Sequence, residues 1–317
     1  MWMSELPPFV PFFLAALLAL VTRGPLRAAL MLSAPLLGGL HLWLDVPDGT
    51  LLSVPLLQFE LILMRADGLS LLFGYIFHIA AFILVIYTLH LRDTLQHVAG
   101  LVYAGSALGA VFAGDLITLF IFWELLVISS VFLVLARRTA RASRASIRYL
   151  IFQVSSGVIL LAGILVHYRY TGSLAFDFIG IDNPGGWLIL LAFGIKCAFP
   201  FLHNWLTDAY PEATPTGAAL LSVFTTKVAV YTLARGYPGT DLLIYIGAIM
   251  TVFPIFYAVI ENDLRRVLSY SLINQLGFMV CGIGIGTALA LNGAVAHAFS
   301  HILYKALLFM SMGAVLY

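Results

Sequence analysis

The stretch GWLILLAFGIKCAFPFLHNW (residues 186–205) is long and apolar enough to cross a bilayer, yet it carries a lysine near its middle and a proline four residues later. A crossing helix needs roughly 20 residues, and a lysine at its centre costs about 2.5–3.5 kcal/mol on insertion scales. Pro200 has no N–H to offer the carbonyl of Lys196. The helix is therefore expected to kink or break about one turn after Lys196, freeing the carbonyl of that residue. Broken helices at membrane depth are tolerated where they line a cavity or water path. A packing kink would account for the proline alone but not for the adjacent lysine. His203 follows the break, ahead of the polar run Thr207-Asp208-Ala209-Tyr210-Pro211-Glu212.

The rest of the chain has the same character. Of its 317 residues 62% are hydrophobic and only 10% charged, with a mean hydropathy of +1.03; a soluble domain carries about a quarter charged residues. The net charge of +1 gives no basis for binding nucleic acid or an acidic partner. Cys197 and Cys281 fall in apolar runs and read as small core hydrophobes rather than a disulfide. The first apolar run lacks a preceding Lys or Arg and a small-residue cleavage site, so it reads as a retained span. The apolar runs predict about eleven transmembrane helices, near 8–22, 27–44, 69–91, 96–112, 114–136, 146–167, 186–205, 215–235, 241–260, 268–288 and 290–316. The fold class is thus an all-α polytopic membrane protein, with a loop over 45–68 and no linker long enough to set apart a soluble domain.

Arginine placement fixes the orientation. The connection after the fifth span holds Arg137, Arg138, Arg141, Arg144 and Arg148, with a spacing that suits a short amphipathic segment on the cytoplasmic surface. Arg23 and Arg27, Arg92, and Arg265 and Arg266 fall on the same side by alternation. The opposite loops carry Asp45, Asp48, Glu60, Asp177 and Asp182 against single arginines, Arg65 and Arg169. The N-terminus is therefore expected outside the cytoplasm.

The chain has only three lysines, Lys196, Lys227 and Lys305, and each falls within a predicted span. Arginine keeps its charge under nearly all conditions, whereas a desolvated lysine can release a proton near neutral pH. Reserving lysine for the membrane suits proton exchange; the alternatives are snorkelling or static ion pairs. Glu124 lies midway along the fifth span, directly after Trp123, with Asp115 as its nearest charge in sequence. Brought together, a glutamate and a lysine both stay charged; drawn apart, the lysine tends to give up its proton. The plainer reading is a static pair joining two helices. In the last span His297, His301 and Lys305 recur at i, i+4 and i+8, on one face and about 6 Å apart. That suits relay through water or the nearby Ser300. A His-x3-His pair can also bind metal, but no zincin glutamate and no third ligand accompany it. An axial haem pair would come from two helices, and a structural histidine pair is the remaining alternative. No Walker motif, dinucleotide loop, CxxC or nucleophile elbow is present, so no cofactor and no metal are expected. Gly282, Gly284 and Gly286 read as close helix packing.

Together these residues resemble the antiporter-like proton-conducting subunits shared by respiratory complex I, membrane-bound hydrogenases and Mrp-type cation/proton antiporters. The likeness runs from Arg65-Ala66-Asp67-Gly68 to the C-terminus. It rests on Trp123-Glu124, on Lys196 through Pro200 with His203, Trp205-Leu206 and Asp208-Ala209, and on Thr226-Lys227-Val228. It continues through Asp263-Leu264-Arg265-Arg266, Asn274-Gln275-Leu276-Gly277, and His297, His301 and Lys305-Ala306-Leu307. Asp208-Ala209-Tyr210-Pro211 and the stretch from Lys227 to Arg235 look most like the D-type subunits of the Mrp antiporters. Thr207 stands where the family usually has proline.

The resemblance implies N-terminal helices over 1–95, a complete five-helix half-channel repeat over 96–236 with a broken seventh helix, and an inverted, partial second repeat over 237–317. It also implies that Glu124 and Lys196 form a coupling pair, with Lys227 linking them to His297, His301 and Lys305. Asp115, His203 and Asp208 would be auxiliary. The family typically has fourteen helices, so the expectation is that another chain supplies helices 12–14 or that the route is incomplete. The implied partners are further membrane subunits, lipid, protons and a monovalent cation, in a bacterial inner membrane, with no bond chemistry of the chain's own. Three functions follow: a subunit of a Na⁺/H⁺-type antiporter, a proton-pumping subunit of complex I or a hydrogenase, or a structural subunit without transport.

Overall fold

A computed structural model describes residues 5–315. The described residues form a helical bundle with one hairpin. The helices are α1 Val10–Val21, α2 Gly24–Leu44, α3 Gly68–Thr88, α4 Thr94–Phe112, α5 Leu116–Leu135, α6 Ala140–Thr171, α7 Gly186–Lys196, α8 Asn204–Ala209, α9 Pro215–Val223, α10 Thr225–Gly236, α11 Asp241–Ile260, α12 Leu264–Ile285 and α13 Ala288–Ala314. The expected end of the last helix at 316 lies outside the described residues. With α9 and α10 taken as one span, nine helices among the described residues are long and apolar enough to cross a membrane, and α1 and α7 are shorter apolar helices. The polytopic helical membrane fold read from the sequence is what the chain adopts, with one hairpin that the sequence reading did not expect.

The centre of the bundle is the span Pro215–Gly236, buried along nearly all of its length. Around it pack α3, α4, α5, α7, α12 and α13. The outer helices turn apolar side chains outward: Leu36, Leu37, Leu40 and Trp43 on α2, and Tyr245, Ile249, Val252 and Phe256 on α11. Apolar groups facing outward at these depths suit lipid as the surrounding solvent.

Four expectations change in detail. The 45–68 segment is not an irregular loop but an antiparallel hairpin, β1 Gly49–Leu56 and β2 Phe59–Ala66, paired from Gly49↔Ala66 to Leu56↔Phe59. Its turn at Leu57 and Gln58 has no Asn-Gly or Asp-Gly signal; Leu57 itself takes a positive φ of 55°. The hairpin is held over the α4–α5 junction, where Gly114 N–H donates to the Ile62 carbonyl at 3.0 Å. A Cβ on Gly114 would lie 2.3 Å from Ile62 Cγ2, so glycine is what lets the strand approach.

The arginine-rich connection forms no separate surface segment. Arg141, Arg144 and Arg148 ride on the first turns of α6, which begins at Ala140 behind a Thr139 cap. The span expected over 215–235 is interrupted at Phe224 (φ −96°, ψ −62°). Finally, of the three alternating glycines, Gly284 lets α12 meet α11 and Gly282 faces Ala290 and Ala294 of α13. Gly286 instead caps α12 in the left-handed conformation (φ 70°), against Gly239. Cys197 and Cys281 are both free.

Candidate functional site

Lys196 is the last residue of α7, fully buried. The helix stops at the lysine itself rather than one turn later. Residues 197–203 run irregularly, with Ala198 (φ 62°) and Phe201 (φ 68°) in the left-handed region. For non-glycine residues such angles cost on the order of 1–3 kcal/mol each, so the surrounding packing must hold them. The loosened carbonyls find partners: Phe199 N–H donates to Gly194 at 2.9 Å, and Trp205 Nε1 donates to Ile195 at 2.9 Å. No hydrogen bond reaches the Lys196 carbonyl among the described residues, as the proline four positions on would leave it. Pro200 sits inside the break, α8 resumes at Asn204, and His203 at the junction packs its ring 4.8 Å from that of Phe253. The Nδ1 of His203 has no hydrogen-bond partner among the described residues.

The ammonium of Lys196 reaches α5. Its Nζ donates to the Trp123 carbonyl at 2.9 Å and stands 4.0 Å above the Trp123 ring centroid. The indole is fixed in turn by Ser156 of α6, which accepts from Trp123 Nε1 at 3.1 Å and donates to the Ala192 carbonyl at 2.8 Å. Glu124, the next residue, is half-buried and its Oε1 has no hydrogen-bond partner among the described residues. Lys196 and Glu124 are close enough to act on one another's charge, yet they form no direct ion pair among the described residues. An ammonium held by a neutral carbonyl and a ring face, beside an unengaged carboxylate oxygen, is a charge pair with a gap in it. Such an arrangement leaves both groups free to form an ion pair or stay apart as their side chains rotate.

Lys227, also fully buried, lies just past the α9–α10 interruption. Its Nζ donates to the Ser222 carbonyl at 2.7 Å and to Thr226 Oγ1 at 3.3 Å. The interruption supplies that carbonyl. On the other side, the Thr225 N–H donates to Tyr103 Oη at 3.0 Å. No proline or glycine marks residue 224, so the local sequence carries no signal for this break. Lys227 lies within electrostatic reach of Lys305 and His301, and α10 packs on both α7 and α13.

On α13, Lys305 Nζ donates to Ser271 Oγ of α12 at 2.7 Å. The His297 Nε2 meets Gln275 Oε1 at 2.9 Å, and Tyr304 Oη donates to the same oxygen at 3.0 Å. The rings of His297 and His301 are 6.0 Å apart. His301 is fully buried, with neither ring nitrogen hydrogen-bonded among the described residues. Ser300 is exposed and bonded back to its own helix at Ala296 and His297, so it does not stand between the histidines. Ser271 and Gln275 occupy the places adjoining the line. Gln275 lies in the Asn274-Gln275-Leu276-Gly277 element that carries the resemblance, which is the signal that would have pointed to it.

The auxiliary residues fall elsewhere. Asp115 caps α5, accepting from Thr118 N–H and Oγ1 at 2.8 and 2.6 Å and from Ile62 N–H at 2.7 Å. These bonds fill its carboxylate and give it the task of joining hairpin to helix. Asp208 pairs with Arg148 at 2.9 Å at the arginine-bearing end. Besides Ser156, two further α6 residues join the site without any sequence signal. Gly157 faces the Glu124 carboxylate directly. Gln153, one turn earlier, is fully buried with both amide atoms lacking hydrogen-bond partners among the described residues. Among the described residues no group of three His, Cys, Asp or Glu stands together as a metal would require.

The matching family model, described as "NADH:quinone oxidoreductase/Mrp antiporter, TM", covers residues 113–317. The chain is 34% identical over 225 residues to the D-type subunit of the Na(+)/H(+) antiporter of Alkalihalophilus pseudofirmus, covering 65% of this chain and 46% of that protein. It is 32% identical over 229 residues to the N-type subunit of the NADH-quinone oxidoreductase of Desulforudis audaxviator, covering 66% and 46%. Among solved structures, a chain of the Mrp complex from Dietzia sp. DQ12-45-1b superposes with a TM-score of 0.87 at 28% identity, over 98% of this chain and 37% of that one. This chain thus spans about half the length of the curated relatives it matches. With its broken α7, its buried lysines and the match over residues 113–317, it belongs to the transmembrane NADH:quinone oxidoreductase/Mrp antiporter family.

Proposed function

We propose that the chain is a proton-translocating membrane subunit of a multi-subunit cation/proton antiporter, with Na⁺ or another monovalent cation as the exchanged ion. The observation that carries this reading is the fully buried Lys196 docked on Trp123 at the end of a broken helix, beside a Glu124 oxygen with no hydrogen-bond partner among the described residues. Glu124 and Lys196 act as the coupling pair: closing the pair holds the proton on Lys196, and opening it releases the proton toward Lys227. His301, His297 and Lys305 extend the line, with Gln275 and Ser271 orienting the end groups. Residues 96–236 form the half-channel repeat, 237–317 the part of its mate, and 1–95 the N-terminal helices.

The arginine-bearing end faces the cytoplasm of a bacterial inner membrane, placing the N-terminus outside. Supporting this orientation, Arg141, Arg144, Arg148 and Arg266 line a common cleft with Asp208 and Glu212. The subunit works beside other membrane chains, as the Mrp relatives' names suggest.

The test is cation-driven proton flux in vesicles containing the assembled complex. Lys196→Ala and Glu124→Ala should abolish it while the chain still inserts. Lys196→Arg should fail as well, because arginine does not give up its proton. Wild-type flux in the alanine variants would sink the proposal. The likeness to the N-type subunit of an NADH-quinone oxidoreductase favours a second reading, in which redox chemistry in partner subunits drives the same line. Purification with native partners separates the two: co-purifying Fe–S subunits point to the redox complex, small membrane subunits alone to the antiporter.

A further inference from the structure

We infer that the seam between α2 and α3 holds an anionic phospholipid, its phosphate in an arginine-lined cleft at one end and an acyl tail in an apolar groove along the same helix pair. The cleft encloses about 870 Å³ between the start of α2, the end of α3 and the start of α4. Arg23, Arg27, Arg92, His90 and His97 line it, and no Asp or Glu does. Arg23 and Arg92 form no hydrogen bond or ion pair among the described residues. Arg27 is buried and held in place: it donates to the Thr22 carbonyl and, at 2.9 Å, to Thr94 Oγ1. His97, only 6% exposed, meets the Thr88 carbonyl through Nε2 at 3.2 Å and leaves Nδ1 without a hydrogen-bond partner among the described residues. Asp93 lies between Arg92 and Thr94, but its carboxylate is taken up by Leu95 N–H, Gln96 and Arg138. The charges of Arg23 and Arg92, uncompensated among the described residues, in a cleft of this size call for an anion.

The second observation is independent of charge. Farther along the same two helices a groove of about 580 Å³ is lined by apolar groups, among them Pro35, Gly39, Leu40, Trp43, Ile79 and Phe82. Gly24, Ala28, Met31, Pro35 and Gly39 recur at helical spacing on α2, so cleft and groove lie on one stripe. At 1.5 Å per residue the groove begins about 12 Å from Arg27 and ends about 24 Å from it. Half of a hydrocarbon core is about 15 Å thick, so a tail descending from a phosphate at Arg27 enters the groove within its own leaflet. Leu26, Ile86 and Leu89 beside the seam are exposed and apolar, which places its mouth against lipid. The Arg138–Asp93 contact of 3.4 Å ties the cleft to the arginine-bearing end of the bundle. Anionic lipid headgroups are drawn to basic clusters at that depth.

The probe is native mass spectrometry of the purified protein with phosphatidylglycerol, phosphatidylcholine or soluble glycerol phosphate. The wild type should retain phosphatidylglycerol over phosphatidylcholine. Arg23→Gln with Arg92→Gln, which disturbs no internal contact among the described residues, should weaken retention by roughly fivefold per arginine and erase the preference. Ile79→Trp, which fills the groove, should weaken both lipids and leave glycerol phosphate unaffected. Equal retention of the two lipids by the wild type, or a double variant that binds like wild type, would overturn the inference. Glycerol phosphate competing at parity, with no effect of Ile79→Trp, would assign the cleft to a free phosphate group instead. Loss of phosphatidylglycerol from the assembled complex, with a neighbouring subunit cross-linking to the Arg92→Cys variant, would assign the seam to a protein and likewise overturn it.

Discussion

Gly157 of α6 and Glu124 of α5 share one space: a Cβ on Gly157 would fall 1.7 Å from Glu124 Oε1. The glycine is what allows the carboxylate to lie between the helices beside Lys196.

Gly157→Ala should therefore displace the carboxylate without harming the helix. Alanine at a helix interior gains about 1 kcal/mol of propensity over glycine, which offsets the local repacking. The expected outcome is a melting temperature close to wild type with proton flux reduced at least tenfold, by the order of magnitude that a 1.4 kcal/mol change in a barrier brings. Flux at the wild-type level would mean that Glu124 has no fixed position to lose.

At His301, stability and transport should move in opposite directions. Its ring is fully buried and both nitrogens lack hydrogen-bond partners among the described residues, so for folding alone it is a liability. Replacing an unsatisfied buried polar group by an apolar one of similar size is neutral or stabilising, by about 1 kcal/mol. His301→Leu should leave stability unchanged or raised while flux falls. A stability loss with full flux would assign the histidine to packing.

Asp67 caps α3 and receives two hydrogen bonds from Arg235 Nη2, at 2.8 and 2.7 Å. Burial acts to raise its carboxyl, but the Ser70 N–H and the Arg235 charge outweigh it, and the group sits below its ordinary value of 3.8. A depressed carboxyl contributes stability above its unfolded value and loses it as pH falls through the folded one. Asp67→Asn retains the cap and removes the charge. Because the Asp67 side chain is 38% exposed, the loss at pH 7 should be only about 1 kcal/mol. Thermal melts should show the gap between variant and wild type closing below about pH 4.

Where α11 meets α12, a Cβ at Gly247 would lie 2.5 Å from Cys281 N, a backbone atom that cannot yield. Gly247→Val should cost about 3 kcal/mol, at the upper end of overpacking. Gly293 of α13 has nothing within 4 Å of its Cβ position, and Gly293→Ala should stabilise by about 0.5–1 kcal/mol. Melts of the two variants check both signs.

The membrane class, the order of the spans, the three lysines and the break near Pro200 are all legible in the chain. They rest on composition, on length and on a missing N–H, which are local properties. The exact point of the break is not: α7 ends at Lys196 because Trp205 and Phe199 capture the carbonyls just before it. The interruption at Phe224 likewise depends on Tyr103, more than a hundred residues away, accepting from Thr225 N–H. The hairpin over 49–66 is hidden from a local reading because its turn at Leu57 carries no turn residue and its ladder is secured by Asp115 and Gly114.

The sequence by itself thus determined that this is a multi-span membrane protein with titratable groups at depth, because hydrocarbon imposes helices and makes each buried charge conspicuous. Only the tertiary structure decided which groups meet. It docked Lys196 on the Trp123 carbonyl instead of directly on Glu124, seated that carboxylate against Gly157, and gave the Lys305 ammonium a partner in Ser271 of α12. Side-chain partners across helices are set by packing depth and helix rotation, which no local spacing encodes.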